Sequence, residues 1–159
     1  MTKTMDKMIY LTVVSPDQDF TPALQYASLK AKKNTGVVGL VYAIAPSELR
    51  MNAGVEELVL EERRKEAEDL LMEIAGQIKK VAGRAPMIFV REGSLKDQTF
   101  LLLAEEQNTA QLVLGSQVNG ESVEVFLSNA QKKMSAAAKP VLVVPDSMTE
   151  EQVKTYLKG

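Results

Sequence analysis

Gln111-Leu-Val-Leu-Gly-Ser-Gln-Val-Asn-Gly120, continued by Glu121-Ser-Val-Glu-Val-Phe-Leu-Ser-Asn-Ala130 and, beyond a lysine-bearing segment, by Pro140-Val-Leu-Val-Val-Pro145, is the stretch that decides the fold. Residues 112–114 and 141–144 are apolar without alternation, which marks strands covered on both faces. Between them lie a glycine-containing turn suited to face an anion and a helix expected over 128–138. Strand, turn, helix and strand in that order make one parallel unit, and the rest of the chain repeats it.

Working outward, residues 8–14 form the first and central strand, again apolar throughout. Ser15, Pro16 and Asp17 are turn residues. Thr21 then caps a helix with Pro22 at its first position, where a missing N–H costs nothing. Leu24, Ala27, Ser28 and Ala31 follow at helical spacing, and Asn34-Thr-Gly36 closes the helix. Strand two covers 37–43 and 46–54 is a loop. A long amphipathic helix over 55–81 buries Ala67, Leu70, Leu71, Ile74 and Ile78 and turns its Glu, Lys and Arg residues to water. Strand three is 87–90. Ser94-Leu-Lys-Asp97 has capping-box spacing and opens a helix that Asn108 closes. Thr149-Glu-Glu-Gln152 repeats that signal before a short apolar stripe, Val153, Tyr156 and Leu157.

These elements predict a single doubly wound α/β domain over 8–145, a five-stranded parallel sheet in the order 3-2-1-4-5 with helices on both faces. A flexible tail (1–7) precedes it, and a C-terminal extension with a short helix (146–159) follows. Ligands of such sheets bind beyond the carboxyl ends of the strands, where the winding reverses. That rule selects Ser15, Pro16 and Asp17 after strand one, Ala43 after strand two, and Gly115, Ser116, Val118 and Gly120 after strand four.

Composition removes several kinds of chemistry. With no cysteine and no histidine among 159 residues, there is no thiolate and no imidazole to serve as nucleophile, base or metal ligand. The net charge is −2 and aromatics are 5% of residues, which argues against a nucleic-acid surface. The apolar run 9–14 is too short to span a membrane, and a soluble cytoplasmic protein is expected. Phosphoryl transfer needs an oriented metal, and no group of carboxylates clearly supplies it, so enzymatic activity is the weakest reading.

Pro22-Ala-Leu-Gln-Tyr-Ala27, Val90-Arg-Glu-Gly93, Leu103-Ala-Glu-Glu106, Leu112-Val-Leu-Gly-Ser116 and Lys139-Pro-Val-Leu-Val-Val-Pro145, in that order and spacing, resemble the universal stress protein family. In its nucleotide-binding branch a motif of Gly, two residues, Gly, nine residues, Gly and then Ser or Thr follows strand four, its glycines and helix N–H groups accommodating phosphates. Laid on this chain, the motif falls on Gly115, Val118, Ser128 and Asn129, so one of three glycines remains. Gly120 stands two residues past the second, and Ser128 and Asn129 are still suited to cap the helix and offer N–H groups. The family's Asp at the end of strand one falls on Ser15, with Asp17 two residues on.

The resemblance therefore implies a regulatory or binding module of the stress response with weak or absent ATP binding and no cofactor. The alternative keeps ATP, AMP or another phosphorylated ligand, with magnesium, in the cleft between strands one and four. It also implies a homodimer through the edge strand Val141, Leu142, Val143 and Val144, because an edge apolar on both faces needs a cover. The stripe of Val153, Tyr156 and Leu157 is a second candidate cover, on its own subunit or on its partner's.

Overall fold

A computed structural model describes residues 7–15, 19–44 and 53–158, with the backbone alone given for 53–56. The expected tail, apart from Lys7, and most of the loop 46–54 lie outside the described residues. Strand β1 (Ile9–Val13) is buried at every position. Ile9, Leu11 and Val13 enter one apolar cluster while Tyr10 and Val14 enter another, on the opposite face of the sheet. Burial on both sides is why this strand reads as a continuous apolar run.

Helix α1 (Pro22–Lys33) begins where the Leu24 N–H donates to Thr21 Oγ1 at 3.3 Å. Strand β2 (Val37–Ile44) then pairs in parallel with β1, Ile9 opposite Val37. Helix α2 (Ala53–Ala82) covers the same face as α1, burying Ala67, Leu71, Ile74 and Ile78 along one stripe. Strand β3 (Met87–Glu92) pairs with β2, and α3 (Leu95–Glu105) is capped by Ser94, whose Oγ accepts from the Asp97 N–H at 3.1 Å. Strand β4 (Thr109–Leu114) returns to the other side of β1.

Next come a two-stranded hairpin, β5 (Gln117–Val118) with β6 (Glu121–Ser122), then α4 (Val123–Leu127), α5 (Gln131–Ala137), the strand β7 (Val141–Val143) and α6 (Glu150–Lys158). The main sheet runs β3-β2-β1-β4-β7, all parallel. With β7 as the fifth strand of the domain, this is the order read from the sequence. Helices α1, α2 and α6 cover one face, and α3, α4 and α5 the other.

Several boundaries differ from the sequence reading, among them α2, which starts at Ala53 rather than 55, and β3, which runs to Glu92 rather than 90. The helix expected over 128–138 is α5 alone, starting at Gln131, and the short helix α4 before it lies outside the expected span; between the two, Asn129 adopts a left-handed φ of 56°. Strand β4 starts at Thr109, three residues early, and α3 closes at Glu105, before Asn108. Both shifts centre on one junction. The Thr109 hydroxyl lies 2.9 Å from the Leu103 carbonyl and 2.8 Å from that of Glu106, and Lys139 Nζ donates to the same two carbonyls at 2.6 and 2.8 Å. The last carbonyls of α3 are thus satisfied by the chain that follows rather than by further helix.

The extension settles on its own chain. Thr149 and Gln152 exchange hydrogen bonds, Gln152 N–H to Thr149 Oγ1 at 3.1 Å and Thr149 N–H to Gln152 Oε1 at 2.9 Å, which closes the expected capping box. Val153 and Leu157 are buried against α1, Lys33 Nζ donates to the Leu157 carbonyl at 2.5 Å, and the Tyr156 ring lies 6.1 Å from that of Tyr26.

Candidate functional site

Parallel register brings the ends of β1, β4 and β7 to one level. Thr12 is opposite Val113 and Leu114 opposite Val143, so Ser15, Ser116 and Asp146 emerge side by side at the carboxyl edge of the sheet. A cleft of about 240 Å³ opens there, lined by Thr12, Val13, Ser15, Thr21, Ala23, Gly115, Gln117, Asn119, Gly120 and Asp146. Among the described lining residues, hydroxyls, amides and backbone are joined by the apolar Val13 and Ala23, and Asp146 is the one charged side chain. The volume lies below the roughly 300–1,000 Å³ usual for drug-sized ligands.

Two sets of hydrogen bonds shape the mouth. Asp146 Oδ1 accepts from the Ser116 N–H at 3.2 Å, while the Asp146 N–H donates to Ser116 Oγ at 2.8 Å. This reciprocal pair locks the exit of β4 to the exit of β7. Gly115 gives it room, since a Cβ at that position would stand 3.0 Å from Asp146 Oδ1 and push the carboxylate back by a few tenths of an ångström. On the other side, the Asn119 N–H donates to Ser15 Oγ at 2.9 Å and ties the hairpin to the end of β1.

The hairpin turns through Asn119 and Gly120, with φ of 53° and 81°. Two consecutive positive φ values between paired Val118 and Glu121 are what a two-residue hairpin loop demands, and Asn-Gly supplies them at least cost. Val118 itself is 2% exposed and packs in the cluster with Leu112, Leu114 and Phe126. Its methyl groups enter the core and do not line the cleft.

Of the residues selected from sequence, Ser15, Gly115 and Gly120 line the cleft together, with Ser116 bonded at its rim. Pro16 and Asp17 lie outside the described residues. Ala43, half-buried in β2, pairs with Arg91 on the far side of β1 and does not line it. Ser128 and Asn129 are elsewhere: the Ser128 carbonyl accepts from Lys96 Nζ at 2.7 Å, and Asn129 borders a separate depression beside α5. The α5 N-cap is Ala130, without a side-chain cap. Among the described residues, no three Asp or Glu side chains gather to hold a metal ion.

Asp146, Asn119, Gln117, Thr12 and Thr21 line the cleft without having been selected. Asn119-Gly120 was the legible signal, the strongest short hairpin dipeptide. Asp146 was legible only through topology, as the first residue past Pro145 on the strand beside β4.

The sequence profile of the Universal stress protein family matches residues 9–145. Comparison with curated proteins finds no match. Among solved structures, the chain is similar to the universal stress protein UspA from Lactobacillus plantarum, with a TM-score of 0.67 at 15% identity over 87% of this chain and 97% of that one. It is similar to a universal stress protein family member from Burkholderia pseudomallei, at 0.61 and 17% over 91% and 99% of the two chains. The universal stress protein from Archaeoglobus fulgidus in complex with dAMP gives 0.60 and 20% over 87% and 98%. At these identities the structural likeness carries the fold, and the profile match across nearly the whole domain carries the family: the chain belongs to the universal stress protein family.

Proposed function

We propose that this chain is a regulatory and binding module of the stress response that holds ATP weakly or not at all, acting as a cytoplasmic homodimer through β7. The observation that supports the weak-ATP reading is the Asp146 carboxylate on the Ser116 N–H, directly after the motif's remaining glycine. A carboxylate there uses the backbone donor that a phosphate needs and repels the phosphate's charge. Among the described lining residues, no lysine or arginine offsets that charge. Calorimetric titration with ATP and magnesium is expected to show no micromolar binding. A micromolar dissociation constant would overturn the proposal.

A second reading, an adenine-nucleotide binder, draws on the convergence of Ser15, Gly115 and Gly120 on one cleft and on the dAMP complex of the Archaeoglobus fulgidus relative. It expects purified protein to release nucleotide on heating and Gly115→Val to abolish this. A sample that is empty and shows no thermal shift with nucleotides rejects it.

A further inference from the structure

We propose that Asp146 sets the specificity of this cleft: its carboxylate takes the place of a ligand phosphate on the Ser116 N–H, so the cleft refuses phosphate esters and accepts an uncharged, hydroxyl-rich molecule of sugar or nucleoside size. The inference rests on the reading of the β1/β4 cleft as the binding site and names what that site takes.

The geometry is built for the carboxylate. Asp146 is held from both ends, its N–H on Ser116 Oγ at 2.8 Å and its Oδ1 on the Ser116 N–H at 3.2 Å. The missing side chain of Gly115 leaves the room that Oδ1 occupies, since a Cβ would come within 3.0 Å. Gly115 thus serves an internal anion at the very place where a glycine would otherwise admit an external one. Asp146 follows Pro145 at the end of β7, whose register with β4 brings the carboxylate to this N–H.

Charge and donor chemistry select the ligand. Asp146 is the one charged side chain among the described lining residues, in a cleft of about 240 Å³ whose other polar groups are Thr12, Ser15, Thr21, Gln117 and Asn119. A phosphate entering this space meets a like charge at close range and a donor already engaged. A ligand hydroxyl meets the reverse: it can donate to the carboxylate's second oxygen, for which no hydrogen bond is present among the described residues. Hydroxyl and amide walls of this kind discriminate by hydrogen bonding without requiring charge.

Adenosine and AMP differ by the phosphate alone and serve as the probes. Calorimetry or ligand-observed NMR on the full chain is expected to give adenosine an affinity at least about tenfold above that of AMP. Asp146→Asn keeps the shape and an acceptor oxygen for Ser116 but removes the charge, so AMP is expected to gain about tenfold relative to adenosine. Thermal unfolding of the variant reports whether it is folded, and the wild-type ratio tests the proposal without any variant. The inference is overturned if wild-type protein binds AMP as tightly as adenosine, if it binds no adenosine, or if the folded Asp146→Asn protein keeps the wild-type ratio. These failures differ from that of the weak-ATP reading, which falls only when wild-type protein binds ATP at micromolar concentration.

Discussion

Val118 holds the cleft wall in place by leaving the cleft. It is almost fully buried beneath the hairpin, beside Phe126, whose ring stacks 6.1 Å from that of Phe100 on α3. Asn119 and Gly120 then turn the chain back at positive φ, and Asn119 reaches Ser15. Restoring the family's glycine with Val118→Gly therefore removes a core side chain before it affects any ligand. We expect a loss of about 2–3 kcal/mol, read as a lower urea midpoint, and no gain in nucleotide affinity. Gly120→Val places a β-branched residue at φ 81° and is expected to cost about 1–2 kcal/mol. The motif alignment shows that a valine replaces the second glycine, but not where its side chain goes. Which way one side chain points is decided by pairing with Glu121, a contact that the Asn-Gly dipeptide signals and a motif alignment hides.

At the scale of elements, two junctions hold helices to the sheet. Lys139 reaches back from the start of β7 to the Leu103 and Glu106 carbonyls and to Thr109 Oγ1, at 2.6, 2.8 and 2.5 Å, joining α3, β4 and β7. Burial lowers its pKa from the ordinary 10.5, against a smaller upward pull from Glu106. Lys139→Met leaves the carbonyls with fewer donors, and we expect a loss of about 1–3 kcal/mol in urea unfolding. The second junction is α6 on α1. Tyr26 sits there with its pKa raised above 10.0, by burial first and then by Tyr156 and Tyr10. The unfolded chain then ionises its tyrosine first, so this contribution is complete below pH 10.0 and is lost as pH rises toward the higher folded value. The urea midpoint of wild-type protein should fall between about pH 9 and 11 more steeply than that of Tyr26→Phe. Caps were the legible part of these elements: Thr21, Ser94 and Thr149 all bond as their spacing predicts. The short helix α4 and the later start of α5 were not legible, because a Ser-Asn pair serves equally as a helix cap and as the turn after a helix.

Across the whole molecule, continuous apolar strands and right-handed crossovers made a doubly wound parallel sheet legible, and the observed order β3-β2-β1-β4-β7 matches the one expected. The same order leaves β7 with β4 on one side and, among the described residues, no strand on the other. The extension does not cover this edge by pairing, since α6 packs on α1. Val143 is 38% exposed at the edge, next to an apolar hollow of about 160 Å³ formed with Tyr26, Leu142, Met148 and Tyr156. An unpaired apolar edge is a template for another strand, and a second copy related by a two-fold axis offers the same strand in return. That geometry supports the proposed homodimer. Light scattering at micromolar concentration is expected to give the mass of two 17.5-kDa chains. Val143→Lys, at an already exposed position, should leave thermal stability within about 0.5 kcal/mol of the monomer's while shifting the mass to one chain. A wild-type monomer at those concentrations defeats the dimer, and a variant that stays dimeric moves the interface away from β7.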